Sequence, residues 1–296
     1  TSAKDGSFSF ENIPYGTWYV REIEQPTGFV LDDTIYPVTI GADGQVVEIE
    51  IVNRYVRGNI HLTKVDSEYP DNKLTGATFE VYKDSNANGK LDDGDELLGT
   101  LTEKEKGEYS MNDLFYGRYF VKETKAPEGF LLDENAYYVE ITENGKIYDV
   151  ENEAGIGFTN MAQTGSLRIE KTSSDGKVEG FSFRVTGANG YEQTFKTDKN
   201  GEIFIEGLRV GDYTVSEVSD GASANYVLPA DKKVTILADK TTVAQMHNEL
   251  RDTPKTGDDS KPWLWAALMG VSAMGAAALG VAAYVGKRKK GKNTVK

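Results

Sequence analysis

The chain of 296 residues has no cysteine, which excludes disulfides and thiolate metal sites outright. Positive charge is the next scarcity. Six of the 33 Lys and Arg residues follow Gly286, leaving 27 against 47 Asp and Glu over the rest of the chain. A surface that acidic repels nucleic acid and anionic lipid, so nucleic-acid binding is set aside. The N-terminus also lacks the basic, apolar and small-residue parts of an export signal. The chain opens inside a repeat instead, and any such signal is expected upstream.

What is present reads as all-β. Tyr, Phe, Val and Thr are frequent, with turns rich in Gly, Asn and Asp. Three times a glycine is followed 16 residues later by a glutamate closing an apolar-alternating segment: Gly6/Glu22, Gly107/Glu123 and Gly201/Glu217. Each glutamate is followed by an asparagine that closes another such segment, Asn53, Asn160 and Asn248. A lysine comes 11 residues after the first two, Lys64 and Lys171. The period predicts an array of related domains: residues 1–56 (the later part of one unit), 57–163, 164–251, and a distinct tail over 252–296. The connections near 56 and 163 are short, so the units are expected to stack as a stiff rod. Unit 1 keeps only its later strands, with Trp18 and Val20 before Glu22 and Ile49 and Ile51 before Asn53. In unit 2 a period of two puts Ile60 and Leu62 on one face with Lys64, Tyr119 and Val121 with Glu123, and Ile156 and Phe158 with Asn160. Unit 3 repeats the pattern with Leu167, Ile169 and Lys171, Tyr213, Val215 and Glu217, and Ala244, Met246 and Asn248.

A lysine ending an alternating strand is ordinarily a solvated edge residue. Here Lys, Glu and Asn all fall on the apolar face, where charge persists only when paired. Two readings stand. One is a structural buried Lys–Glu pair with an Asn hydrogen-bonded to it. The other is an intramolecular amide between the lysine amine and the asparagine side chain, with ammonia lost. Burial lowers the lysine pKa and raises that of the glutamate, so a neutral pair becomes accessible. The neutral amine attacks the Asn carbonyl carbon while the protonated Glu shuttles protons to the leaving ammonia. This happens once per domain, so it is maturation and not turnover.

The segment Tyr119-Phe120-Val121-Lys122-Glu123-Thr124-Lys125-Ala126-Pro127-Glu128-Gly129-Phe130 closely resembles the "YxVxETxAPxGY" signature, the pilin E-box, of Cna-B-type domains, the SpaA-like prealbumin-fold modules of Gram-positive surface proteins and pilins. Trp18 to Phe29 is similar, with Glu24-Gln25-Pro26 in place of the Thr-x-Ala-Pro portion. Unit 3 keeps Tyr213-Thr214-Val215-Ser216-Glu217 and lacks the Pro-Gly element. The resemblance covers residues 1 to about 250 and implies tandem prealbumin/Ig-like β-sandwiches. It also implies Lys64–Asn160 and Lys171–Asn248 bonds catalysed by Glu123 and Glu217, with no cofactor required. Glu22 and Asn53 lack a lysine in this chain.

In the tail, Trp263 to Val285 is uncharged over about 23 residues, roughly 35 Å as a helix and enough to span a bilayer. Lys287 to Lys290 follows and places the C-terminus in the cytoplasm. Together with Thr253-Pro254-Lys255-Thr256-Gly257 this resembles the LPxTG cell-wall sorting signal, with Thr253 in place of Leu. The resemblance implies that sortase cleaves between Thr256 and Gly257 and joins Thr256 to peptidoglycan or a pilus subunit. The membrane is then spanned only before sorting, and the mature protein sits on the cell wall of a Gram-positive bacterium. Asp84, Asn86, Asn88, Lys90 (through its carbonyl), Asp92 and Asp95 fit a D-x-[DN]-x-[DN]-G calcium loop. A long polar hairpin rich in turn formers is the alternative.

The expected function is a stalk or pilin segment presenting an adhesive region; the alternative is a unit that itself binds a host ligand. An enzyme is disfavoured, because the carboxylate pairs Asp32/Asp33 and Asp92/Asp93 lie in turn-like segments without apolar neighbours. His61 and His247 read as surface residues.

Overall fold

The computed structural model describes residues 2–251. The sorting motif Thr253 to Gly257 and the apolar run 263–285 lie outside the described residues. Among those described, no helix is long and apolar enough to cross a membrane.

Unit 1 contributes β1 (Gly16–Val20), β2 (Phe29–Val30), β3 (Tyr36–Ile40) and β4 (Arg54–Tyr55). Strand β1 pairs with β3 alone. Residues 45–53 keep their alternation, with Ile49, Ile51 and Asn53 half-buried, but form no ladder. In units 2 and 3 the corresponding segment pairs with a first strand, and the described residues of unit 1 include none. Trp18 is 44% exposed.

Unit 2 is a two-layer sandwich. Its strands are β5 (Arg57–Asp66), β6 (Thr78–Lys83), β7 (Glu96–Thr100), β8 (Thr102–Glu105), β9 (Glu108–Phe115), β10 (Gly117–Lys125), β11 (Ala136–Ile141), β12 (Ile147–Asp149) and β13 (Phe158–Asn160). One sheet has the order β11-β10-β6-β7 and the other β12-β5-β9-β8, with β13 also on β5. Unit 3 comprises β14 (Thr164–Ser173), β15 (Ser182–Thr186), β16 (Glu192–Lys196), β17 (Glu202–Arg209), β18 (Gly211–Glu217), β19 (Tyr226–Val227), β20 (Lys232–Ile236) and β21 (Thr241–Leu250). Its sheets run β17-β14-β21-β19 and β16-β15-β18-β20.

The alternation decides which face each strand buries. Strand β5 turns Ile60, Leu62 and Lys64 inward, and β14 does the same with Leu167, Ile169 and Lys171. The inward residues of both layers form one core per unit, around Phe79, Tyr119 and Phe158 in unit 2 and around Phe183, Tyr213 and Met246 in unit 3. Each such side chain contributes about 1.5–3 kcal/mol on burial. One expectation fails. Ile156 is not on the inward face with Phe158 and Asn160; it is 37% exposed. Residues 151–156 loop outward and split the last strand of unit 2 into β12 and β13, where unit 3 has the unbroken β21.

The two junctions use one pattern. Val56 N–H donates to the Gly28 carbonyl and its own carbonyl accepts Tyr116 N–H. Gln163 bonds Gly129 and Val210 in the same way. Main-chain bonds therefore tie each connecting residue to the units on both sides.

Candidate functional site

In both complete units the first and last strands lie side by side and parallel. Lys64 stands opposite Phe158 and Asp66 opposite Asn160; Lys171 stands opposite Met246 and Ser173 opposite Asn248. The asparagine is thus offset by two residues from the lysine's partner and shares its inward face. The glutamates arrive from the opposing sheet, at the ends of β10 and β18.

The recurring glycine has a definite task here. Gly107 accepts Lys64 N–H at its carbonyl, and Gly201 accepts Lys171 N–H. Both have positive φ, +71° and +79°, and a Cβ on either would fall 3.0 or 2.7 Å from the lysine's own carbonyl oxygen. Only glycine fits this approach. Gly6 keeps the positive φ, but no atom lies within 4 Å of its Cβ position, and the described residues of unit 1 include no lysine strand beside it.

Unit 2 is assembled. Lys64 and Glu123 are fully buried, with Nζ 3.9 Å from Oε1. Asn160 Nδ2 donates to both Glu123 oxygens at 3.1 and 2.9 Å. Lys64 Nζ also donates to the Phe158 carbonyl and lies 5.2 Å from the Phe158 ring centre. Burial lowers the Lys64 pKa to about 8 against the opposing pull of Glu123, and burial raises that of Glu123. Both shifts favour the neutral pair.

Unit 3 is less converged. Asn248 Nδ2 donates to Glu217 Oε1 at 2.6 Å, but Lys171 Nζ turns to the Thr172 carbonyl and the Phe181 ring, 4.1 Å from its centre. Burial again lowers the lysine and raises the glutamate. Glu217 Oε2, Asn248 Oδ1 and Asn160 Oδ1 are buried without a hydrogen-bond partner among the described residues. In unit 1, Asn53 Nδ2 donates to Glu22 Oε1 at 2.7 Å, with the half-buried glutamate already in place.

A supporting layer escaped the sequence reading. Asp133 N–H donates to Glu123 Oε2 at 2.9 Å, and the Asp133 carboxylate accepts Tyr137 O–H and Asn152 Nδ2. Asp32 N–H does the same for Glu22 at 2.9 Å, with Tyr36 on its carboxylate. An Asp ten residues after the Glu and a Tyr four later recur in units 1 and 2, and that spacing was the available signal. Asp32 is thereby accounted for as a turn-organising carboxylate. His61 is not free at the surface: its two ring nitrogens face Asp149 and Glu108. His247 is exposed.

In the loop 84–95, Asp84 accepts N–H from Asn88 and Gly89. The Asn86 and Asn88 amides donate to Asp92, Asp95 accepts N–H from Ser85 and Asp92, and Lys90 N–H donates to Asn88. Among the described residues no three His, Asp or Glu side chains converge as a metal group. Asn86 and Asn88 contribute amide oxygens, and an amide exchanges O for N by rotation.

The SpaA family, described as a prealbumin-like fold domain, matches residues 1–55, 58–154 and 165–250. The chain belongs to this family. Serine-aspartate repeat-containing protein D of Staphylococcus aureus is 27% identical over 254 residues, covering 72% of this chain and 18% of that protein. Colossin-A of Dictyostelium discoideum is 23% identical over 253 residues, covering 72% of this chain and 2% of that protein. The chain thus spans less than a fifth of the length of either curated relative. Among solved structures, the Bacillus anthracis TIE protein superposes with a TM-score of 0.64 at 27% identity, covering 83% of this chain and 44% of that one.

Proposed function

We propose that this chain is a stalk or pilin segment on a Gram-positive cell surface, whose complete SpaA units are each closed by a Lys–Asn amide. The observation that carries this reading is the buried Lys64–Glu123–Asn160 contact, a nucleophile, a proton carrier and an electrophile held together in a dry site. Lys64 Nζ, neutral, attacks Asn160 Cγ. The Nζ–Cγ bond forms, the Cγ–Nδ2 bond breaks, and Glu123 passes a proton from Nζ to Nδ2, which departs as ammonia. Glu123 ends as it began, and folding supplies the proximity. The Asn160 Nδ2 contact with Glu123 suits protonation of the leaving group. Lys171, Glu217 and Asn248 act likewise after Lys171 turns toward the glutamate. In use, tension entering by the first strand leaves by the last through a covalent bond and bypasses the core.

The rate of bond formation is bell-shaped in pH. On the acid side, below the raised Glu123 value, the pair holds an extra proton and Lys64 is charged. Above about 8 the pair has lost one, and Glu123 is an anion. Only between these limits does the pair hold the single proton that the neutral form needs. Intact mass followed during folding of freshly synthesised chain checks this. A rate that climbs steadily through the alkaline range contradicts the role of Glu123.

Thr253 to Gly257 and the apolar run are proposed as a sortase signal, with Thr256 joined to peptidoglycan or a pilus subunit. The loop 84–95 is proposed to take calcium once Asn86 and Asn88 present their oxygens beside Asp84, Asp92, Asp95 and the Lys90 carbonyl. Calcium then raises the melting temperature of the chain and not that of Asp84→Ala. An unshifted parent removes the site.

A ligand-binding unit is the second reading, favoured by one surface. Leu97, Tyr82, Phe120 and Tyr138 form an unbroken row across the outer face of the four-stranded sheet of unit 2. The same row in unit 3 is Glu192, Thr186, Thr214 and Lys233. Absence of binding to host extracellular matrix removes this reading.

A further inference from the structure

Asp66 lies two residues beyond Lys64 on the same face of β5, with its side chain fully buried. It stands opposite Asn160 in the parallel ladder, so it borders both reacting groups. A bare carboxylate at this place holds the neighbouring lysine in its charged, unreactive form. Asp66 is among the charges that oppose the lowering of the Lys64 pKa, after Glu123 and Asp133.

The charge that answers Asp66 comes from the next unit. Arg209, the last residue of β17, places Nη1 2.5 Å from Asp66 Oδ2 and Nη2 2.6 Å from Oδ1. Its Nε donates to Glu68 at 3.1 Å. The guanidinium is covered by Tyr69 and Phe130 of unit 2, at 4.9 and 5.9 Å from their ring centres. Only 14% of the Arg209 side chain is exposed. A two-pronged, desolvated arginine of this kind is a strong partner for a carboxylate. Burial pushes the Asp66 carboxyl up, and the Arg209 bonds with the N–H groups of Glu68 and Tyr69 bring it below its ordinary value. In unit 3 the residue two beyond Lys171 is Ser173, which carries no charge to be answered.

We propose that docking of unit 3 onto unit 2 through Arg209 licenses the Lys64–Asn160 bond, by cancelling the Asp66 carboxylate that borders the nucleophile. The proposal rests on the amide-forming reading of the trio. It orders maturation along the chain: unit 2 is synthesised first, yet closes its bond about tenfold faster once unit 3 has folded against it. The covalent bond is then set in a unit already seated on its neighbour.

The test uses the full chain, made by cell-free synthesis and sampled over time, with intact mass and peptide mapping assigning each ammonia loss to its unit. Arg209→Gln is expected to slow the unit 2 bond about tenfold, the change in neutral-amine fraction for a shift of one pKa unit. The Lys171–Asn248 bond keeps its wild-type rate and reports that unit 3 has folded. Adding Asp66→Asn to Arg209→Gln restores the unit 2 rate, although the ion pair across the junction is still missing. A purely structural junction predicts a double variant as slow as the single one, and that result overturns the proposal. So does a wild-type rate in Arg209→Gln. A wild-type chain that loses no ammonia from unit 2 overturns the amide reading itself, and this proposal with it.

Discussion

Asn160→Ala lowers the stability of unit 2 by about 4–5 kcal/mol, the loop-closure value for a cross-link enclosing nearly a whole domain. For a domain of this size the melting temperature falls by roughly 20 °C or more. The proposed bond would join β5, the first strand, to β13, the last, so nearly every residue of unit 2 would lie within the closed loop. Cutting it returns that freedom to the unfolded chain. The non-covalent loss is small by comparison: the Asn160 bonds to Glu123 are worth about 0.5–1.5 kcal/mol each, and Lys64 keeps Glu123 as its partner at 3.9 Å. Calorimetric melting of the chain and the variant separates the two accounts. A loss of only about 1–3 kcal/mol, the scale of the two hydrogen bonds alone, means that no covalent link was there to lose.

The Lys–Glu–Asn trio is legible in the sequence because β-strands impose a period of two. Ile60 and Leu62 place Lys64 inward, Tyr119 and Val121 place Glu123 there, and a charge on an apolar face needs a reason. Two features escaped this logic. The outward loop 151–156 ends on Ile156, which continues the alternation of β13 in sequence while leaving it in space. The Asp66–Arg209 pair joins residues of different units, and no local period connects them. The Asp133–Tyr137 support of Glu123 lies between: its spacing repeats in unit 1 as Asp32–Tyr36, but it has no apolar period to mark it. In unit 3, residue types alone read as a trio equal to that of unit 2. The structure instead turns Lys171 toward Thr172 and Phe181, a difference of side-chain rotamer that sequence does not carry.

Glu123→Gln slows formation of the Lys64–Asn160 bond by about 10²–10⁴-fold, the usual contribution of a positioned proton carrier. Glutamine keeps the size of the side chain and one acceptor oxygen for Asn160 Nδ2, and it removes the carboxyl proton. Lys64 stays buried without an anion opposite, so its amine is more readily neutral than before. The nucleophile is therefore preserved or improved while proton delivery to Nδ2 is lost. A glutamate acting only as counter-charge predicts the reverse, a faster reaction in the variant. Unit 3 is untouched by the substitution and serves as the internal reference in time-resolved mass spectra.

The central claim is covalent, and intact mass tests it most directly. Residues 57–251 of the chain, released by proteolysis from purified protein, are predicted to weigh two ammonias less than their sequence requires. Peptide mapping should then find Lys64 joined to Asn160 and Lys171 to Asn248, and Glu123→Gln should retain only the second link. A fragment at its full sequence mass, with Lys64 and Asn160 recovered on separate unmodified peptides, contradicts the account.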